Sequence, residues 1–177
     1  MSKIRAAVTA VEGYVPDYIL TNDELSRMVD TNDEWIMTRI GIKERGILKG
    51  EKGPSDMAEI VVKRILEKKN LSPDSIELVI CCTVTPDMVF PATANIIAHK
   101  CGIKNGFGFD VNAGCSGFLY GLTTASKYIE SGFVKRALVI GAEKMSAIVN
   151  YEDRATCPIF GDGAAGVLLE ATEEPYG

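Results

Sequence analysis

Histidine is all but missing from this chain. His99 is the only one, and Lys100 and Cys101 beside it make no zinc ligand set. No C-x-x-C pair occurs among the five cysteines. Their odd number, and their placement mostly inside apolar segments, match reduced intracellular thiols rather than a disulfide framework. No apolar run reaches the roughly 18–20 residues a membrane span needs, and the start, Met1-Ser2-Lys3-Ile4-Arg5, carries no signal-peptide core. A cytoplasmic protein without a membrane partner is expected. Basic clusters are lacking too: none is longer than Lys68-Lys69, and the net charge is -5. That argues against nucleic acid, whose footprint needs concentrated Lys and Arg. Low-complexity stretches, linkers and internal repeats are absent. What remains is average for a globular domain, 46% hydrophobic and 24% charged, and 177 residues suit one domain over 1–177.

Alternation and β-branched content place strands at about 4–11, 76–84, 107–112, 137–142 and 166–171. The middle three are almost wholly apolar, as a sheet covered on both faces requires, so the architecture is α/β. Thr21 to Glu24 and Thr31 to Glu34 both have the T-x-x-E spacing of a capping box, which predicts two short helices, the second stopping at Gly41. From 56 to 69, Met57, Ile60, Val61, Ile65 and Leu66 recur at helical spacing. Another helix follows Pro91. A fourth runs from 116 to about 130, with Phe118, Leu119, Leu122, Ala125 and Ile129 on its inner side, and is expected to be buried. The ending, Glu173-Glu174-Pro175-Tyr176-Gly177, follows a strand and reads as cut rather than finished.

The segment 106–120 runs strand, tight turn, helix, and sets Cys115 at the start of that helix. Unpaired amides and the positive end of a helix dipole suit an anionic nucleophile, and can receive the oxyanion of a thioester under attack. Gly114 and Gly117 allow a strained turn and close backbone approach, and Gly121 lets the helix sit tightly on its neighbours. Cys115 reads either as a nucleophile or as a small buried hydrophobe, the common fate of free cysteine. Cys81, Cys82, Cys101 and Cys157 read as filler. Thr31, Trp35 and Arg39, spaced by four, share one edge of the second short helix. An indole with a guanidinium can stack on a base while the guanidinium also meets phosphate, although packing or a solvated face is the plainer account. The run Gly161 to Gly166 satisfies G-x-G-x-x-G, but a strand follows it rather than a helix. It is therefore no dinucleotide fingerprint; a glycine-permitted turn feeding a core strand is expected. His99 reads as a surface or packed histidine.

Three runs together closely resemble β-ketoacyl-acyl-carrier-protein synthase III: Thr31-Asn32-Asp33-Glu34-Trp35 through Arg39 to Arg45, then Asp110 to Phe118 around Cys115, then Asp153-Arg154 leading to Ile159–Ala165. The resemblance spans the chain. It implies a thiolase-like half with a mixed, mostly parallel five-stranded sheet and helices on both faces. It implies acyl transfer from an acyl-CoA, acetyl-CoA above all, to Cys115, then decarboxylative condensation with a malonyl-acyl carrier protein, in a homodimer with no cofactor. By the same likeness Trp35 and Arg154 flank the adenine of coenzyme A, Arg39 meets its phosphates, Thr31 bonds the base, and Phe90 closes the acyl pocket of the other subunit. For Phe90 the alternative is ordinary core packing. The family's catalytic histidine and asparagine, and most of its basic carrier-docking patch, belong to a C-terminal half that is absent here. The 177-residue chain alone is therefore expected not to condense. Other thiolase-fold acyl-CoA condensing enzymes, or a non-catalytic dimerisation module, are the competing readings.

Overall fold

A computed structural model describes residues 4–174. Its main sheet holds five strands: β1 (Arg5–Tyr14), β4 (Leu78–Cys82), β5 (Phe107–Val111), β6 (Arg136–Lys144) and β7 (Asp162–Thr172), in the order β1-β7-β6-β4-β5. β4 pairs parallel with both β5 and β6, whereas β7 is antiparallel to β6 and β1. All strands except β7 thus run one way, which is the mixed, mostly parallel sheet the resemblance implied. A second, two-stranded sheet pairs β2 (Tyr18–Thr21) with β3 (Glu44–Ile47). Sequence reading missed it, because four-residue strands carry too little alternation to register.

The helices are α1 (Asn22–Leu25), α2 (Asp33–Arg39), α3 (Pro54–Lys69), α4 (Thr93–Lys100) and α5 (Gly117–Glu130). Period-two alternation along β4 decides which layer each covers. Val79 and Cys81 join Met57, Val61 and Ile65 of α3 and Ala94 and Ile97 of α4 in one buried cluster. Leu78, Ile80 and Cys82 meet Ala125 and Ile129 of α5 in another, on the opposite face. Among the described residues no helix is long and apolar enough to cross a membrane.

Four local expectations change. α2 is capped by Asn32, whose Oδ1 accepts the Trp35 amide at 2.8 Å, and not by Thr31; two adjacent residues could cap, and the extended backbone falls at Asn32. α3 begins earlier, at Pro54, because Asp56 turns back to accept the Gly53 amide at 2.7 Å. The Gly161–Gly166 run is not a turn before a strand, since β7 already starts at Asp162. Gly166 is needed inside the sheet, where a Cβ would fall 2.3 Å from Ile140 Cδ1. Finally, α5 is buried on one face only: Leu119 is 63% exposed and Tyr120 57%.

Glu170 of β7 ties the layers together. It accepts from Thr9 Oγ1 of β1 at 2.7 Å and Arg136 Nε of β6 at 2.8 Å, and pairs with Lys69 Nζ of α3 at 3.0 Å. Burial alone would raise its pKa, but the bonds from Arg136, Thr9 and Lys69 outweigh that and hold it at about 2, against 4.5 ordinarily. A depressed carboxylate stabilises the fold above its ordinary pKa, and that contribution drains away as pH falls from about 4.5 towards 2. Allowing for screening at a side chain that still meets water, Glu170→Gln should remove about 1–2 kcal/mol near neutral pH and nothing at the acid limit. Urea unfolding of both proteins across that range reads the difference; parallel curves would refute the assignment.

Candidate active site

Cys115 lies just beyond the C-terminal end of β5, in a single 3-10 turn, Gly114–Ser116, that runs directly into α5. The turn needs Gly114, whose φ is +53°. Gly117 is less constrained than expected, since a Cβ there would meet Cys82 Cβ at 3.5 Å, an ordinary contact. Gly121 is the demanding one: its Cβ would lie 2.6 Å from Cys82 Sγ and 3.2 Å from Val139 Cγ1. Gly121→Ala should lift α5 from the sheet at a cost of about 2 kcal/mol, lowering Tm by several degrees. An unchanged melting curve would mean that Cys82 swings aside freely.

Exposure separates the thiols. Cys115 is open to solvent, whereas Cys81, Cys82, Cys101 and Cys157 are buried. Burial raises Cys81 well above the ordinary thiol range, pushes Cys82 and Cys101 to about 11, and raises Cys157 as well. Such thiols stay protonated and inert at neutral pH. No side chain caps the first turn of α5; the Ser116 and Gly117 amides are taken up by the Ala113 and Gly114 carbonyls inside the turn, whereas none of the hydrogen bonds among the described residues uses the Cys115 amide.

The structure brings three of the four residues assigned to the nucleotide face together. The guanidinium carbon of Arg39, one turn along α2, is 4.9 Å from the Trp35 ring centroid, and that of Arg154 is 4.5 Å from it. Arg154 also approaches Asp30, with 3.7 Å between Nη1 and Oδ2. Asp153 shapes the turn that carries Arg154, its carboxylate accepting from the Ala155 amide at 2.9 Å and from the Thr156 hydroxyl. Thr31, relieved of capping, has a buried hydroxyl with no hydrogen-bond partner among the described residues. Phe90 is 86% exposed and Val89 fully so, which removes core packing as the account of Phe90. His99 is exposed on α4.

Topology explains why distant segments converge. Phe90 follows β4, Cys115 follows β5, and Arg154 follows β6, three adjacent parallel strands. All three therefore emerge from the carboxyl ends of the strands, where α/β sheets place ligands. The hairpin flanking α1 and α2 is fastened to the same end by residues the sequence reading gave no role. Buried Arg45 of β3 donates to the Pro158 carbonyl at 2.7 Å and to Asn22 Oδ1 at 2.8 Å. Asn22 in turn donates to Asp33 Oδ1 at 2.7 Å. Asp162 accepts from the Leu48 amide at 2.8 Å and from Ser146 N and Oγ at 2.8 and 2.6 Å. The one sequence signal for Asp162 is its position between Gly161 and Gly163.

Comparison with known proteins gives the same answer. The family described as 3-oxoacyl-[acyl-carrier-protein] synthase III matches residues 109–177. β-Ketoacyl-[acyl-carrier-protein] synthase III of Phocaeicola vulgatus is 58% identical over all of this chain and 53% of its own length. That of Chlorobaculum tepidum is 52% identical over 98% of the chain and 54% of its own. Among solved structures, the Aquifex aeolicus 3-oxoacyl-[acyl-carrier-protein] synthase III superposes with a TM-score of 0.92 at 45% identity, covering 96% of this chain and 55% of that one. The priming β-ketosynthase of a polyketide biosynthetic pathway reaches 0.92 at 33% identity, covering 96% and 51%. The chain spans about half the length of the curated relatives it matches. Along its whole length it is similar to the N-terminal half of β-ketoacyl-[acyl-carrier-protein] synthases III, and its residues 109–177 match the model of that family.

Proposed function

We propose that this chain supplies the nucleophile and the coenzyme A face of a β-ketoacyl-[acyl-carrier-protein] synthase III that starts fatty acid synthesis from acetyl-CoA. The thiolate of Cys115 attacks the thioester carbonyl, and the oxyanion that forms is held by the backbone amide of Cys115 itself at the turn into α5. Collapse of that intermediate breaks the bond to the coenzyme A sulfur, which leaves with a proton. A malonyl-acyl carrier protein then loses carbon dioxide, and its enolate carbon attacks the acyl-Cys115 carbonyl, releasing the β-ketoacyl product and restoring the thiol. The histidine and asparagine that would stabilise the enolate belong to the other half, so this chain alone does not condense. The enzyme works as a homodimer, with Phe90 closing the partner's acyl pocket. Trp35, Arg39, Arg154 and Thr31 hold the nucleotide.

The observation that carries this reading is the single exposed thiol, at a glycine elbow on the sheet end that also bears Trp35 and Arg154. Incubation with acetyl-CoA followed by peptide mass spectrometry should find one acetyl group, on Cys115. An unlabelled Cys115 in the protein with both halves would sink the proposal. A second reading, a starter enzyme of a polyketide-type pathway, is favoured by the likeness to the priming ketosynthase at 33% identity. Comparing primers and extender carriers separates the two.

A further inference from the structure

Phe90 stands on a segment, residues 83–94, whose tip and roots are held very differently. At the tip, Met88, Val89 and Phe90 are 49%, 100% and 86% exposed. Among the described residues no hydrogen bond ties 88–91 to the rest of the chain. An apolar tip that wandered would lose much of its contact energy to ordering whenever it entered a pocket. Both roots are fixed by carboxylates from other elements. At the first root, Glu143 of β6 accepts from the amides of Val84 and Thr85 at 2.8 and 3.1 Å, and from the hydroxyls of both Thr83 and Thr85. The Lys144 amide closes this knot by donating to Thr85 Oγ1 at 2.9 Å. At the second root, Asp110 of β5 accepts from the amides of Thr93 and Ala94 at 2.7 and 2.8 Å, capping α4 in place of Ala92, which has no side chain to do so.

Between the roots, Asp87 reaches α3, where Ser55 Oγ donates at 2.7 Å and the Ser55 amide at 3.2 Å. Gly53 makes room for that contact, since a Cβ there would lie 2.1 Å from Asp87 Oδ1. Bonds from amides to charged carboxylates are among the stronger ones, so the arc between the roots is defined by the sheet and α3 rather than by the loop itself. None of the three carboxylates belongs to the groups assigned above to the reaction or to coenzyme A.

We infer that Glu143, with Asp87 and Asp110, is a positioning residue for acyl-chain selectivity: it sets where the loop presents Phe90 to the acyl pocket of a second copy. This rests on the reading of Phe90 given under the proposed function. A pocket wall displaced by about 1 Å decides whether one more methylene fits, and one methylene commands about tenfold or more in relative rate.

The test uses the protein in which this chain is continued by its C-terminal half. The ratio of kcat/KM for hexanoyl-CoA to that for acetyl-CoA is measured in the wild type, Phe90→Ala, Glu143→Gln and the double variant. Glutamine keeps the size of Glu143 but turns one acceptor into a donor, so the bonds to 83–85 cannot all persist. The expected result is a shift of about tenfold towards the longer chain in each single variant. The double variant should go no further than Phe90→Ala, because both act through one side chain. The inference is overturned if Glu143→Gln lowers both rates in parallel and leaves the ratio unmoved, or if its shift adds in full to that of Phe90→Ala. If Phe90→Ala alone leaves the ratio unmoved, the reading of Phe90 falls first and the inference with it, a result distinguishable from the other two. Should Glu143→Gln fail to fold, Gly53→Ala, which drives a methyl into Asp87, replaces it with the same expected and overturning results.

Discussion

Cys115→Ser in the protein with both halves is expected to lose acetyl labelling entirely and to slow condensation by about a thousandfold or more. A hydroxyl at the same elbow keeps the geometry and the backbone amide of position 115 but is a far weaker nucleophile near neutral pH. The large effect follows because no other thiol is placed to take the acyl chain. Cys82 and Cys101, at about 11, and the buried Cys81 and Cys157 lack both access and thiolate. Any acetyl group mapped to one of those four in the wild type would remove the basis for assigning the acyl-enzyme to Cys115. The same measurement on the 177-residue chain separates acylation from condensation: labelling without product is the outcome expected when the decarboxylation partners lie in the other half.

Trp35→Ala should weaken coenzyme A binding by about thirtyfold, from the roughly 1–3 kcal/mol that one stacked base contributes. Arg154→Ala should cost less, and the geometry says why. Arg154 now rests 4.5 Å from the Trp35 centroid. A base between the two needs two stacking gaps of about 3.5 Å each, so the guanidinium must lift before the adenine can enter. Removing Arg154 forfeits one stacking partner but also clears the ring. Trp35 is the only tryptophan in the chain, so its fluorescence reports the event directly. Calorimetric titration of both variants gives the ranking. Equal losses, or coenzyme A binding that leaves the Trp35 signal untouched, would dismiss the stacked-base account.

The five main strands were legible because β-branched residues alternate or run unbroken where the sheet is covered on both faces. α3 and α5 were legible from their apolar spacing. Cys115 was legible as a candidate because a glycine precedes it at the strand-to-helix turn; its exposure, which lifts it above four other thiols, is tertiary. So is the convergence of Trp35 and Arg154, 119 positions apart yet in contact. Thr31 and Asn32 are both good caps, and only the backbone chooses between them. Leu119 was misplaced because a helical stripe read as continuous includes its neighbour Phe118, although successive residues point about 100° apart. Arg45 gave no local signal and Asp162 only its place between two glycines, since what they do is join β3, the 145–161 segment and β7 across the fold.

The carboxyl ends of β4, β5 and β6 bear the three segments that carry Phe90, Cys115 and Arg154. Because each segment hangs from its own strand, the determinants of chain length, chemistry and thioester donor under the proposed function can change one at a time. A lineage can lengthen or reshape the β4 connection to admit a new primer while the elbow after β5 stays untouched. The sheet bears the inheritance, and the three connections bear the adaptation.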